Sequence, residues 1–166
     1  MPILTEDMKR VVREQGLGFV ATVCRDGTPN LSPKGTTTVW DDDHLVFADV
    51  ASPGTMANLK ENPAVEINVV DPITRVGYRF KGRGEVHVDG AVFDAVVAFY
   101  QEDRQLVPAR VRSVALIEVE RAAALVSPAY DTGLSRDEIV DRSLRRLERV
   151  YGVRIRFNSE GRARGS

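Results

Sequence analysis

Few of the usual chemical handles are present in this 166-residue chain. Its one cysteine, Cys24, cannot form an intrachain disulfide, which fits a reducing compartment. Cys24 closes an apolar run with no histidine beside it, so it reads as a structural thiol rather than a nucleophile. The two histidines, His44 and His87, lie far apart and belong to no metal-ligand motif. No Ser-His-Asp or Cys-His arrangement suggests itself. A net charge of −1 argues against a nucleic-acid coat or a membrane-surface binder. No apolar run approaches membrane-spanning length, and residues 1–7 carry acids where a secretory leader needs basic residues. The expectation is a soluble cytoplasmic protein acting on a small molecule, with no nucleic-acid, membrane or metal partner.

What is present alternates between short β-favouring runs and short helices. Thr5 can cap a first helix that ends at Gly16, with Met8, Val11 and Val12 as its apolar stripe. Residues 17–24 are dense in apolar and β-branched residues, and Asp26-Gly27 signals a tight turn. Residues 29–32 resume as a strand, interrupted by Pro33 and Gly35. The runs at 36–40 and 44–50 follow, joined by the turn Asp41-Asp42-Asp43, which lacks the alternating ligands of a calcium loop. Trp40 reads as barrel packing.

A helix of two or three turns begins at Ser52 and stops at Asn62-Pro63. Strands are predicted at 64–70 and 78–88, a helix from Asp89-Gly90 to Tyr100, and one or two closing strands over 111–125. Ser135-Arg136-Asp137-Glu138 is a capping box that opens a helix to Tyr151, whose apolar stripe is Val140, Leu144, Leu147 and Tyr151. The first four strands leave no room for crossover helices, so the sheet should be antiparallel. The expected fold is mainly β with peripheral α: a six-stranded antiparallel split β-barrel with short flanking helices. The barrel domain is placed at residues 1–130. Residues 131–166, a C-terminal helix and an arginine-rich tail, are expected to pack on the same domain. Those arginines are read as a solvated helix face, with anion binding as the alternative.

One constellation carries chemistry. Ser52-Pro53-Gly54-Thr55 ends a strand and starts a helix, with Ser52 as N-cap and Pro53 as first residue. First-turn amides lack intrahelical partners and, with the helix dipole, favour an anion. Gly54 removes a Cβ from the approach, and Ser52 and Thr55 add hydroxyls. An ordinary capped helix looks the same. Ser32-Pro33-Lys34-Gly35-Thr36-Thr37 sits in the preceding strand pair, so Lys34 can reach the helix start if the meander folds as written.

The order and spacing of "GFVATVCRDGTPNLSP", "HLVFADV", "SPGTMANLKENPAVEINVV" and "RFKGRGEVHVDG" resemble the FMN-binding split-barrel superfamily, which includes pyridoxamine 5′-phosphate oxidase, over residues 14–98. Ser52, Thr55, Asn58-Leu59 and Asn62-Pro63 occupy the positions of that family's helix signature. The resemblance implies a homodimer with a flavin at the subunit interface. Carried over, Ser52, Gly54 and Thr55 contact the phosphate, and Pro33, Lys34, Gly35 and Thr36 run along the ribityl chain and ring edge. Asp49, Val50 and Ala51 supply backbone contacts beside the ring, and Arg79 and Lys81 reach the cofactor from the second subunit or lie on a plain surface face. Relatives often carry a cation within the helix start, where this chain has Gly54, so Lys34 is expected to replace that charge. The closing Gly161-Arg162-Ala163-Arg164-Gly165-Ser166 lacks the family's substrate-gripping Arg-Leu motif, which argues against vitamin B6 oxidation.

The resemblance therefore implies an FMN-dependent oxidoreductase passing electrons between a nicotinamide donor and a small acceptor, with no catalytic acid or base identified. Two alternatives stay open: a non-catalytic flavin-binding or redox-sensing protein, and a deazaflavin (F420) reductase on the same barrel.

Overall fold

The structure, a computed structural model, describes residues 2–104 and 107–152. Arg154, Arg156, Arg162 and Arg164, and the terminal motif at 161–166, lie outside the described residues. The described residues separate into two compact units, one formed by residues 1–71 and 77–125, the other by 72–76 and 126 onwards.

The first unit opens with α1 (Glu6–Gln15), where the Thr5 hydroxyl accepts from Met8 N and Gly16 ends the helix in the left-handed conformation at φ 58°. Val11 and Val12 are buried, joined by Leu4 just before the helix. The strands β1 (Gly18–Val23), β2 (Pro29–Lys34), β3 (Thr38–Val39), β4 (His44–Asp49), β5 (Ala64–Asp71), β6 (Val76–His87) and β7 (Ser113–Val126) form one sheet in the order β2-β1-β5-β6-β7-β4-β3. The fold is mainly β, an antiparallel sheet curled into a half-barrel, and the described residues form seven strands rather than six, with four α-helices. The run at 36–40 contributes only two strand residues, and 113–126 is one continuous strand because nothing in it breaks the pairing.

β2 is also longer than expected. Pro33 does not interrupt it; the strand runs on to Lys34, with Pro33 opposite Phe19. β2 lies at the sheet edge, where a missing N–H is tolerated because one side of the strand has no ladder partner.

Burial along the strands shows where the core sits. Leu45 and Phe47 of β4 enter the main core with Val20, Ile67, Val69, Phe80 and Ile117. Val46 and Ala48, on the opposite face, pack into a second cluster with Val96 and Tyr100 of α3 (Gly90–Arg104) and with Val114. A strand covered on both faces reads as a continuous apolar run, as "LVFA" does. Trp40 belongs to this second cluster, edge-on to Phe99 at a centroid distance of 6.3 Å. Gly82 permits close passage of β6 and β7, since a Cβ there would lie 1.9 Å from the Glu118 carbonyl oxygen.

The second unit holds a 3-10 turn (Pro128–Thr132) and α4 (Arg136–Tyr151). The capping box is formed in full: Ser135 Oγ accepts from Glu138 N, and the Glu138 carboxylate accepts from Ser135 N. The buried apolar residue of α4 is Ile139, whereas Val140, Leu144 and Leu147 are half-buried and Tyr151 is exposed. The arc of the helix that is shielded therefore lies to one side of the predicted stripe.

Candidate functional site

Alternation along β2 points Asn30, Ser32 and Lys34 to one face of the sheet, with Val20 and Thr22 of β1 on the same face. The start of α2 (Pro53–Glu61) lies against this polar row. Thr55, Met56 and Leu59 anchor the helix by burying themselves, and Pro53 presets its first turn.

Lys34 is 4% exposed. Its ammonium donates to Ser32 Oγ at 2.5 Å, Ser52 Oγ at 2.8 Å and Thr55 Oγ1 at 3.2 Å. All three acceptors are neutral hydroxyls. Burial pushes the Lys34 pKa below its ordinary value, and the charge of Asp49 opposes that shift in part. A buried cation without a paired carboxylate is costly, so this one is held in place at the expense of stability.

Ser52 occupies the N-cap position, yet its hydroxyl does not cap the helix; it accepts from Lys34 instead. The first turn of α2 thus has no side-chain cap. The segment before it is fixed by Asp49, whose carboxylate accepts from Ser52 N at 2.6 Å. Asn30 Nδ2 reaches Thr22 Oγ1 and Thr55 Oγ1, and Asn58 Nδ2 reaches Thr22 Oγ1 and the Cys24 sulfur, closing the cluster from below.

An ammonium, three hydroxyls and an uncapped helix start converge on one place. This donor set suits an oxyanion with several acceptor oxygens, a phosphate monoester above all. Glycine freedom agrees: a Cβ on Gly35 or Gly54 would meet nothing within 4 Å, so the chain's own packing demands neither glycine.

The sequence-predicted residues fall into three groups. Lys34, Ser52 and Thr55 meet directly, with the exposed Gly54 between the last two. A second group shapes the surrounding backbone. Thr36 Oγ1 accepts from Ala48 N and donates to Ala48 O, and its carbonyl accepts from Tyr100 OH, which ties the loop after β2 to β4. The Asp49 carbonyl accepts from Arg112 N, Val50 is half-buried and Ala51 and Gly35 are exposed. The third group does not join the cluster within one chain. Pro33 lies on the other face of β2. Arg79 and Lys81 are on the exposed face of β6, where both pair with Glu66 at 2.8 and 3.0 Å.

Ser32 and Asn30 complete the site; Ser32 belongs to the 32–37 segment singled out in the sequence but is given no cofactor contact there, and Asn30 is not singled out. Period-two spacing from Lys34 is their signal, and Pro33, which resembles a strand break, masks it. Among the described residues, no group of three or more His, Cys, Asp or Glu could hold a metal ion, and no helix is long and apolar enough to cross a membrane.

Residues 4–125 match the protein family described as pyridoxamine 5′-phosphate oxidase. An uncharacterised curated protein of Methanocaldococcus jannaschii is 30% identical over 89 residues, covering 52% of this chain and 58% of the relative. The chain thus spans a little over half the length of that relative. Among solved structures, HupZ of Group A Streptococcus is 33% identical with a TM-score of 0.67, covering 74% of this chain and 94% of that one. An FMN-binding protein of Syntrophomonas wolfei shares the fold at 16% identity and a TM-score of 0.62, over 75% of this chain and 87% of its own. An F420 reductase does so at 22% and 0.57, over 72% and 98%. The family match takes in the whole Lys34 cluster and extends past residues 14–98 on both sides, and on it the chain belongs to the pyridoxamine 5′-phosphate oxidase family.

Proposed function

We propose that this chain binds FMN, with the phosphate held by Lys34, Ser32, Ser52, Thr55 and the open first turn of α2, and that it serves as a flavin-dependent oxidoreductase. The observation that supports this most is Lys34: a buried ammonium bonded only to hydroxyls, for which a phosphate supplies the missing counter-charge. Family membership supports the same reading. A bound flavin would supply the electron transfer, between a nicotinamide donor and a small organic acceptor or oxygen. The chain's own part is binding, orientation and electrostatics. Asp49 holds Ser52 in place, and Thr36, pinned to β4, fixes the loop that follows Lys34.

The working unit in this reading is a homodimer joined through the outer face of β1, β2 and β5. That face leaves Phe19 44% and Leu31 66% exposed, with Leu17, Val23 and Val70 beside them on an edge of the sheet. Arg79 and Lys81 rim it, from where they would meet the partner's cofactor. Leu31→Asp should convert a dimer to a monomer in sedimentation or light scattering; a wild-type protein that is monomeric at working concentrations would contradict the dimer.

The visible spectrum of the purified protein tests the cofactor. A flavin doublet, or one acquired on adding FMN, is the expected result, and a colourless protein that takes up none would overturn it. Steady NADPH oxidation with a panel of acceptors then separates an enzyme from a flavin carrier. The shared fold with an F420 reductase favours one second reading, a deazaflavin in the same pocket. F420 outcompeting FMN would establish it.

A further inference from the structure

The second compact unit carries a cavity of its own, remote in kind from the hydroxyl-lined site around Lys34. Pro72 and Arg75, the 3-10 turn and α4 line an open cleft of about 550 Å³, within the range of small-molecule sites. Arg75, Arg142, Arg146 and Arg149 stand over an apolar floor that includes Ile139 and Leu147, and among the described residues no acidic side chain lines the cavity. Ile139 is buried at 2% exposure and Leu147 is half-buried.

Three of the arginines are spaced by four and three residues, which sets them on one side of α4. Like charges so placed weaken a helix. Glu138 is committed to the capping box, although the Arg142 charge still bears on it, and Asp141 pairs with Arg145, which does not line the cavity. Among the described residues, Arg75, Arg146 and Arg149 make no ion pair. Arg75 also holds a left-handed backbone at φ 60°, a conformation that is unfavourable for a non-glycine residue. That loop is fixed from the 3-10 turn, where Ser127 N donates to Arg75 O and Tyr130 OH donates to Thr74 O at 2.8 Å.

We propose that this cavity is a second binding site, for a small organic polyanion: a molecule with two or more carboxylate or phosphate groups and an apolar body. Guanidinium forks bind either group in pairs, and the Ile139–Leu147 floor takes the apolar part. Citrate would satisfy the charge alone, while benzene-1,3,5-tricarboxylate adds a flat apolar ring at equal charge.

Calorimetric titration of the full chain tests this with benzene-1,3,5-tricarboxylate, citrate and inorganic pyrophosphate. The aromatic tricarboxylate should bind saturably and more tightly than citrate, and the order of tricarboxylate and pyrophosphate tells which anionic group the arginines prefer. In Arg142→Gln/Arg146→Gln the affinity should fall by roughly ten-fold or more, since charge-assisted bonds are lost. Arg145→Gln should bind as the wild type does, and Lys34→Ala should bind benzene-1,3,5-tricarboxylate as the wild type does, which separates this site from the FMN phosphate site. No saturable binding of benzene-1,3,5-tricarboxylate, its equal affinity in the double variant, or its loss of binding in Lys34→Ala would each overturn the proposal.

Discussion

Two lysines are buried in the barrel unit, and their surroundings are opposite. Lys9, on α1, is 8% exposed and reaches two carboxylates, Glu6 at 2.8 Å and Asp42 at 2.5 Å. Those bonds raise its pKa above the ordinary value. Lys34 is 4% exposed, bonds to three hydroxyls, and has its pKa lowered by burial. Lys9 is a satisfied charge that fastens the N-terminal helix to the turn before β4. Lys34 has its three N–H groups on hydroxyls and no carboxylate bonded to it, a cation preorganised among groups that can turn towards an anion. Two buried cations in one unit thus teach that burial alone does not mark a site; the nature of the partners does.

Exchanging each lysine should separate their roles. Lys34→Met should weaken FMN binding by roughly 10- to 100-fold, the scale of losing charge-assisted hydrogen bonds, as read by fluorescence titration. Its thermal midpoint should hold or rise, because an unpaired buried charge is removed. A general packing defect looks different. Gly82→Ala, which drives a Cβ into the Glu118 carbonyl, should cost about 1–3 kcal/mol in denaturant unfolding and disturb stability first.

Alkaline pH divides the lysines by sign. The folded pKa of Lys34 lies below the ordinary 10.5, so the destabilisation from its charge is present at neutral pH and is relieved as pH rises from the folded value to 10.5. FMN affinity should fall over that same rise, since the phosphate loses its cation; affinity constant up to 10.5 would contradict this. For Lys9 the folded value lies above 10.5, so its stabilisation is complete below 10.5 and lost as pH climbs through the folded value. The smallest effect expected is that of Lys9→Met, a modest drop in thermal midpoint with FMN affinity unchanged.

Local signals were the most legible. The caps at Thr5, Gly16 and Ser135-Glu138 form as the residues dictate, because each is decided within one turn of chain. The meeting of Lys34 with Ser52 and Thr55 follows from no strand pairing: β2 pairs with β1 and lies at the opposite end of the strand order from β3 and β4, so the expected meander does not form, and the curl of the sheet brings the end of β2 to the start of α2. Less accessible was anything set by a neighbour. Pro33 looked like a break because its sequence does not say that β2 is an edge strand. The Ser52 hydroxyl was read as a cap, whereas a buried ammonium competes for it. Ile139 rather than the Val140–Leu144–Leu147 arc is buried on α4, because an amphipathic stripe on so charged a helix is too narrow to fix its rotation.

The most direct measurement compares FMN with riboflavin, which differs only in lacking the phosphate, on the wild type and on Lys34→Met. A phosphate grip built on Lys34 predicts that the wild type binds FMN far more tightly than riboflavin, and that this preference collapses in Lys34→Met while riboflavin affinity barely changes. Equal affinities in the wild type, or a preference for FMN that survives the loss of Lys34, would contradict the account.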